Sequence, residues 1–123
     1  MTVYLSNSYS LNMINLSNMG DFERLDTTRI DVELARYYLS GNSPFGGNGF
    51  TSIVGHADTA RIIEGILGLP VAFNRATIAL DFRHDMLIVA QYTGPRLPEG
   101  ATELPEGATI AFYTIVRPEM MRY

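Results

Sequence analysis

Cysteine is absent from this chain, and so is lysine. The first absence excludes thiol catalysis and cysteine-ligated metal sites, and it fits a reducing compartment. The second leaves all nine basic residues as arginine. Arginine suits planar, two-point recognition of phosphates, although a genome-wide composition bias accounts for the count equally well. Long apolar runs are also missing. None approaches the ~18 residues of a membrane span, and the N-terminus lacks the basic, apolar and small-residue stretches of a secretory signal. The expectation is a cytoplasmic protein with no membrane partner.

Several motifs are absent too. The chain has no His-x-x-x-His pair and no carboxylate cluster at metal-ligand spacing. It has no phosphate-binding P-loop and no Gly-x-Ser-x-Gly elbow, and Gly46-Gly47-Asn48-Gly49 does not match a dinucleotide fingerprint. Neither a metal nor a cofactor is expected. The formal charge of −4 argues against a coat for duplex nucleic acid, which works by neutralising many phosphates. It leaves room for a small anion held in a locally positive cleft.

What is present describes an ordinary globular chain. Its 123 residues suit one domain spanning residues 1–123, enough to bury roughly two-thirds of the unfolded surface. Thr2-Val3-Tyr4-Leu5 reads as a first strand and Phe22 to Leu25 as a short second one. Thr28 with Asp31 resembles a capping box, followed by Ile30, Leu34, Tyr37 and Tyr38 at helical spacing up to Gly41. A Gly-rich loop covers residues 41–50, and Thr51-Ser52-Ile53-Val54 reads as a strand.

The clearest helix follows. Asp58 stands in its first turn, where negative charge suits the dipole, and Ile62, Ile63, Ile66 and Leu67 form one apolar face. Gly68 and Pro70 end it. Ile78, Leu80 and Phe82 alternate with polar or small residues as a half-buried strand would. Arg83-His84-Asp85 then turns the chain into Met86 to Ala90, apolar on both faces and so a central strand. Leu-Pro-Glu-Gly-Ala-Thr occurs twice, at 97–102 and 104–109, as two successive turns, and Thr109 to Val116 is a final strand. The order implies an α/β (α+β) fold with a single mixed β-sheet of about five strands flanked by helices.

Chemistry concentrates around His56. It stands between a strand and a helix, facing the unpaired N–H groups and positive dipole end of that helix. Two roles fit this histidine taken alone, helix capping and contact with a bound anion. Arg75 stands at a strand entrance, while Arg96 and Glu99 occupy the Pro-bounded loop after the central strand. Strand ends and the loops that follow them collect the sites of α/β sheets. A histidine that protonates a leaving oxygen, arginines that neutralise a phosphate and a carboxylate that orients an arginine suit phosphodiester cleavage without a metal. The set works only if His56 and both arginines meet in one cleft.

Four segments in order carry a resemblance: Val3-Tyr4-Leu5-Ser6-Asn7-Ser8-Tyr9-Ser10-Leu11-Asn12-Met13, Gly55-His56-Ala57-Asp58-Thr59-Ala60, Asn74-Arg75 and Arg96-Leu97-Pro98-Glu99-Gly100. From residue 2 to about residue 116 the chain resembles the viral ring nucleases that act as anti-CRISPR proteins against type III systems. The resemblance implies a homodimer with a cleft on its two-fold axis and cyclic tetra-adenylate as partner. It also implies linear di-adenylate products ending in a 2′,3′-cyclic phosphate, and a place in the host-cell cytoplasm. By resemblance His56 is the general acid, with Arg96 and Glu99 beside it as catalytic residues. Arg75, Asn7, Ser10, Asn12 and Gln91 are implied as ligand contacts. The loop at 41–50 and the residues Tyr92-Thr93-Gly94-Pro95 before Arg96 depart from the family pattern, as does the Leu-Pro-Glu-Gly repeat where a short helix is expected. The same cleft would serve a non-catalytic protein that sequesters the nucleotide. A structural or regulatory viral protein with an incidental cleft is the third reading.

Overall fold

A computed structural model describes residues 2–15, 24–41 and 49–118. Among them, Asp85–Thr93 forms the strand around which the rest is organised, and chain order makes it β4. Its neighbours are β1 (Thr2–Ser6), which runs parallel to it, and β5 (Thr109–Val116), which runs antiparallel. β2 (Asp26–Ile30) extends the sheet beyond β5, and β3 (Thr51–Ser52) extends it in parallel beyond β1. The order β2-β5-β4-β1-β3 makes one mixed five-stranded sheet.

Successive side chains of a strand point to opposite faces, so a strand with both faces covered must be apolar throughout. Met86, Ile88 and Ala90 of β4 join one buried cluster, and Leu87 and Val89 join another. The first cluster receives both helices, α1 (Val32–Leu39) through Ala35, Tyr38 and Leu39, and α2 (Ala57–Leu67) through Ala60, Ile63 and Leu67. Both helices therefore lie on the same face of the sheet. Ile88 is fully buried among these contacts, and truncating such a side chain to alanine costs about 2–5 kcal/mol. The helices are also tied to each other. Arg36 Nε donates to the carbonyl of Leu67 at 2.6 Å, satisfying a C-terminal carbonyl of α2 that has no partner within the helix.

Among the described residues, the opposite face is covered by irregular chain rather than by α-helix. Met13, the last residue of a 3₁₀ turn at Leu11–Met13, and Ile14 just past it pack there with Ile78, Leu80 and Phe82. This corrects the strand expected at Ile78–Phe82. Leu80 and Phe82 are buried as the alternation implies, but among the described residues the segment touches its neighbour by a single bridge, Ile14 to Leu80. Period-two burial records which side chains face the core, and it needs no ladder beside it.

The first helix needs two corrections. Thr28 lies inside β2, opposite Thr114, so it cannot belong to a capping box. Asp31 is itself the N-cap, its carboxylate accepting from the Leu34 N–H at 2.7 Å. Leu34 and Tyr37 are exposed, and the buried face runs through Ala35 and Tyr38 instead. Phe22, at the start of the expected second strand, lies outside the described residues, as does most of the Gly-rich loop at 41–50. Leu25 precedes the strand and packs against the second cluster. β1, α2, β4 and β5 stand where they are expected, whereas β3 stops at Ser52 and Val54 makes only an isolated bridge to Phe73. α2 ends at Gly68, whose φ of 68° is the left-handed conformation glycine adopts without penalty.

Candidate functional site

The parallel strands β1, β3 and β4 all end on one edge of the sheet, and the segments leaving them build the site. Asn7 follows β1, His56 follows the stretch after β3, and Gln91 lies near the end of β4. Side-chain bonds fix this edge. The Ser52 hydroxyl donates to the carbonyl of Ala72 at 2.6 Å, and Asn74 Nδ2 donates to the carbonyl of Ser52 at 2.9 Å. They dock the 72–75 segment beside β3 and carry Arg75 to the junction. Asn7 Oδ1 accepts the Gly55 N–H at 3.2 Å, which holds the residue before His56 against the end of β1.

His56 is exposed and is the N-cap of α2. Its Nδ1 accepts from the Thr59 N–H at 3.3 Å and lies 3.2 Å from Thr59 Oγ1. A backbone N–H can only donate, so Nδ1 is an acceptor here and the ring proton sits on Nε2. Nε2 has no hydrogen-bond partner among the described residues. His56 therefore caps the helix with one nitrogen, while the other takes no part in the cap.

The facing wall is the loop after β4. Tyr92 donates its hydroxyl proton to the Pro95 carbonyl, bracing the approach to Arg96. Pro98 to Ala101 is a turn closed by the Ala101 N–H on the Pro98 carbonyl at 3.1 Å, with Gly100 at a φ of 78°. Pro105 to Ala108 repeats that turn, with the corresponding bond at 3.0 Å. Both copies of the Leu-Pro-Glu-Gly motif are thus turns, as expected. Asp58 Oδ2 accepts the Gly100 N–H at 3.0 Å and fastens the first turn to the start of α2.

Between these walls lies an open cavity of about 820 Å³ lined by His56, Asp58, Gln91, Arg96, Glu99 and Asn7, among others. A second cavity of about 360 Å³ adjoins it, lined by Ser10, Asn12, Gly55, Arg75 and again Asn7. The candidate residues therefore fall into two groups that share Asn7. His56 and Arg96 line one cleft but Arg75 lines the other, so the expected convergence of His56 with both arginines in a single cleft is not present in this arrangement. Arg75 stands one step away, its Cγ 3.5 Å from where a Cβ on Gly55 would be. Glu99 does not pair with either arginine, and among the described residues no carboxylate forms an ion pair with Arg75 or Arg96. The orienting role expected of Glu99 is therefore not present in this arrangement.

Together the two cavities offer two exposed arginine charges without carboxylate partners among the described residues, a histidine N–H, and the amides of Asn7, Asn12 and Gln91, beside the carboxylates of Asp58 and Glu99. Among the described residues no group of three or more histidine, aspartate or glutamate side chains is placed to hold a metal ion, and no helix is long and apolar enough to cross a membrane. Sequence reasoning missed Asp58 and Thr59 as parts of the site. Thr59 carried a signal, standing three residues after His56 where a capped N–H belongs. The bond from Asp58 to Gly100 spans 42 residues and leaves no local pattern.

Comparison with known proteins places the fold. No curated protein matches the chain in sequence. Protein B116 of Sulfolobus turreted icosahedral virus has a similar structure, with a TM-score of 0.68 at 20% identity over 95% of this chain and all of that one. The model of the STIV B116-like family, named for that viral protein, matches residues 3–113, a span that holds every candidate site residue. The chain belongs to the STIV B116-like family.

Proposed function

We propose that the protein is a metal-independent ring nuclease that binds cyclic tetra-adenylate and cuts it to linear di-adenylates, removing the messenger of type III CRISPR defence. The observation that carries this reading is the placement of His56, its Nε2 without a partner among the described residues, in the cleft that Arg96, Glu99, Gln91 and Asn7 also line. Membership of a family named for a viral protein agrees with the resemblance to viral ring nucleases.

The ribose 2′-oxygen attacks the adjacent phosphorus, an O2′–P bond forms, and the P–O5′ bond breaks. This leaves a 2′,3′-cyclic phosphate on one side and a 5′-hydroxyl on the other. The attacking hydroxyl gives up its proton to solvent water, and the departing 5′-oxygen takes one from His56. Arg96 neutralises charge on the phosphate, and Arg75 holds a neighbouring phosphate in the adjoining cavity. A proton-donating imidazolium carries hydrogen on both nitrogens, so Nδ1 must then stop accepting the Thr59 N–H. Thr59 Oγ1, at 3.2 Å, can accept from Nδ1 in that state. Two copies of the chain would complete the cleft, with one cut made by each.

The test is incubation with cyclic tetra-adenylate in EDTA, with products resolved by chromatography. Linear di-adenylates with a cyclic phosphate end are expected. Intact nucleotide bound at stoichiometric protein would instead establish sequestration. Absence of saturable binding would leave a structural or regulatory viral protein.

A further inference from the structure

Asp58 makes a bond that its place in a helix does not require. In the first turn of α2 its charge suits the dipole, and its Oδ1 lies 3.3 Å from an Arg61 guanidinium nitrogen one turn on. Either role could be filled by an exposed carboxylate. This one is only 14% exposed, and its other oxygen accepts the backbone N–H of Gly100 at 3.0 Å.

Gly100 belongs to the turn that presents Glu99, and Arg96 precedes the same turn. His56 caps the helix in which Asp58 is the second residue. One carboxylate thus joins the two walls of the larger cavity, with the histidine on one side and the arginine and glutamate on the other. The far end of the loop has its own brace, the Tyr92 hydroxyl on the Pro95 carbonyl. Without Asp58 nothing else among the described hydrogen bonds ties the Pro98–Ala101 turn to α2.

We infer that Asp58 is a positioning residue that sets the distance of the Arg96–Glu99 wall from His56. Its effect on cleavage rests on the ring-nuclease reading, whereas the tie itself does not. Charge alone is not the working part, because an amide oxygen at the same position can accept the same N–H. The pair with Arg61 is not the working part either, because it lies within the helix.

Asp58→Ala, Asp58→Asn and Arg61→Ala test this by two measurements. The first is amide hydrogen exchange at Gly100 without nucleotide. Exchange should accelerate in Asp58→Ala and stay near wild type in the other two variants. The second is single-turnover cleavage of cyclic tetra-adenylate at saturating protein. A misplacement of about 1 Å costs on the order of 100-fold in rate, so Asp58→Ala should slow by about 10- to 100-fold. Asp58→Asn should recover most of that loss, and Arg61→Ala should match wild type. Unchanged Gly100 exchange in Asp58→Ala overturns the tie. Faster exchange with undiminished cleavage, or cleavage lost equally in Asp58→Asn, overturns the positioning role. A wild-type protein that cleaves nothing overturns the ring-nuclease reading, and Gly100 exchange still decides whether the tie exists.

Discussion

Asn7 Oδ1 accepts the backbone N–H of Gly55 at 3.2 Å, and Asn7 is the residue common to both cavities. The bond fixes the chain one residue before His56, so it links the end of β1 to the start of α2. Asn7→Ala leaves that N–H unpaired in a partly buried position, at a cost of about 1–3 kcal/mol. Asn7→Asp keeps the acceptor but adds a negative charge between the two arginine-bearing cavities. We predict that Asn7→Ala lowers the unfolding midpoint in urea, whereas Asn7→Asp preserves it and weakens nucleotide binding. Equal binding by Asn7→Asp and wild type would show that no phosphate passes near Asn7.

His56 serves the helix and, on the proposed reading, the reaction, and two variants separate these roles. Loss of an N-cap side chain costs about 1 kcal/mol, and asparagine is among the best caps. General acid catalysis contributes roughly 10²–10⁴-fold. His56→Ala is therefore predicted to lose both stability and cleavage rate. His56→Asn should recover the stability and leave single-turnover cleavage slowed by that same range. If His56→Asn cleaves like wild type, His56 is a cap and nothing more.

The sequence was most legible where local chemistry and tertiary environment agree. Met86 to Ala90 is apolar on both faces because β4 is buried on both, and α2 combines a strong apolar face with a stop at Gly68. It was least legible where one pattern serves two structures. Leu80 and Phe82 alternate with polar or small residues because a core lies on one side, yet among the described residues only an isolated bridge forms beside them. Asp31 follows a strand that itself contains Thr28, so a spacing that resembles a capping box straddles two elements. Site residues were recognisable by type and order, but their grouping depends on long-range bonds. Nothing near Arg75 in the sequence says that it lines a cavity with Ser10 and Asn12 rather than with His56.

Asp85 gives the fold a predictable response to pH. Burial, with the Asp81 charge adding to it, holds its carboxyl above the ordinary value of 3.8. Its Oδ2 meanwhile accepts the Asp81 N–H at 3.0 Å. The folded chain thus binds the proton more tightly than the unfolded chain does, so ionisation of Asp85 opposes folding. The penalty is absent below the unfolded value, grows as pH rises through the folded one, and is complete above it. Asp85→Asn cannot ionise and keeps an oxygen for the Asp81 N–H. It should melt at a higher temperature than wild type at neutral pH, and the advantage should vanish below about pH 3.8, the ordinary aspartate value. An equal advantage at both pH values would place its origin in packing rather than in charge.

Gly94 controls how the loop carrying Arg96 leaves β4. Its φ is 150°, and a Cβ added there would stand 2.8 Å from both the Cα and the Cβ of Ala108. Side chains rarely tolerate that backbone conformation, and holding one in a sparsely populated region costs on the order of 1–3 kcal/mol. The contact is with backbone across the β4–β5 pair, so a flexible side chain cannot yield to relieve it. The Tyr92 hydroxyl, which braces Pro95, lies 3.3 Å from the same added atom. Relief must come from moving the loop outward, which carries Arg96 away from His56. Gly94→Ala should therefore lose stability in urea denaturation and also bind nucleotide more weakly, while Gly107→Ala in the second turn should change stability alone. Gly107 makes the comparison fair, since its φ of 80° is also left-handed but nothing lies within 4 Å of an added Cβ. Unaltered nucleotide affinity in Gly94→Ala would mean that Arg96 does not depend on this exit from the sheet.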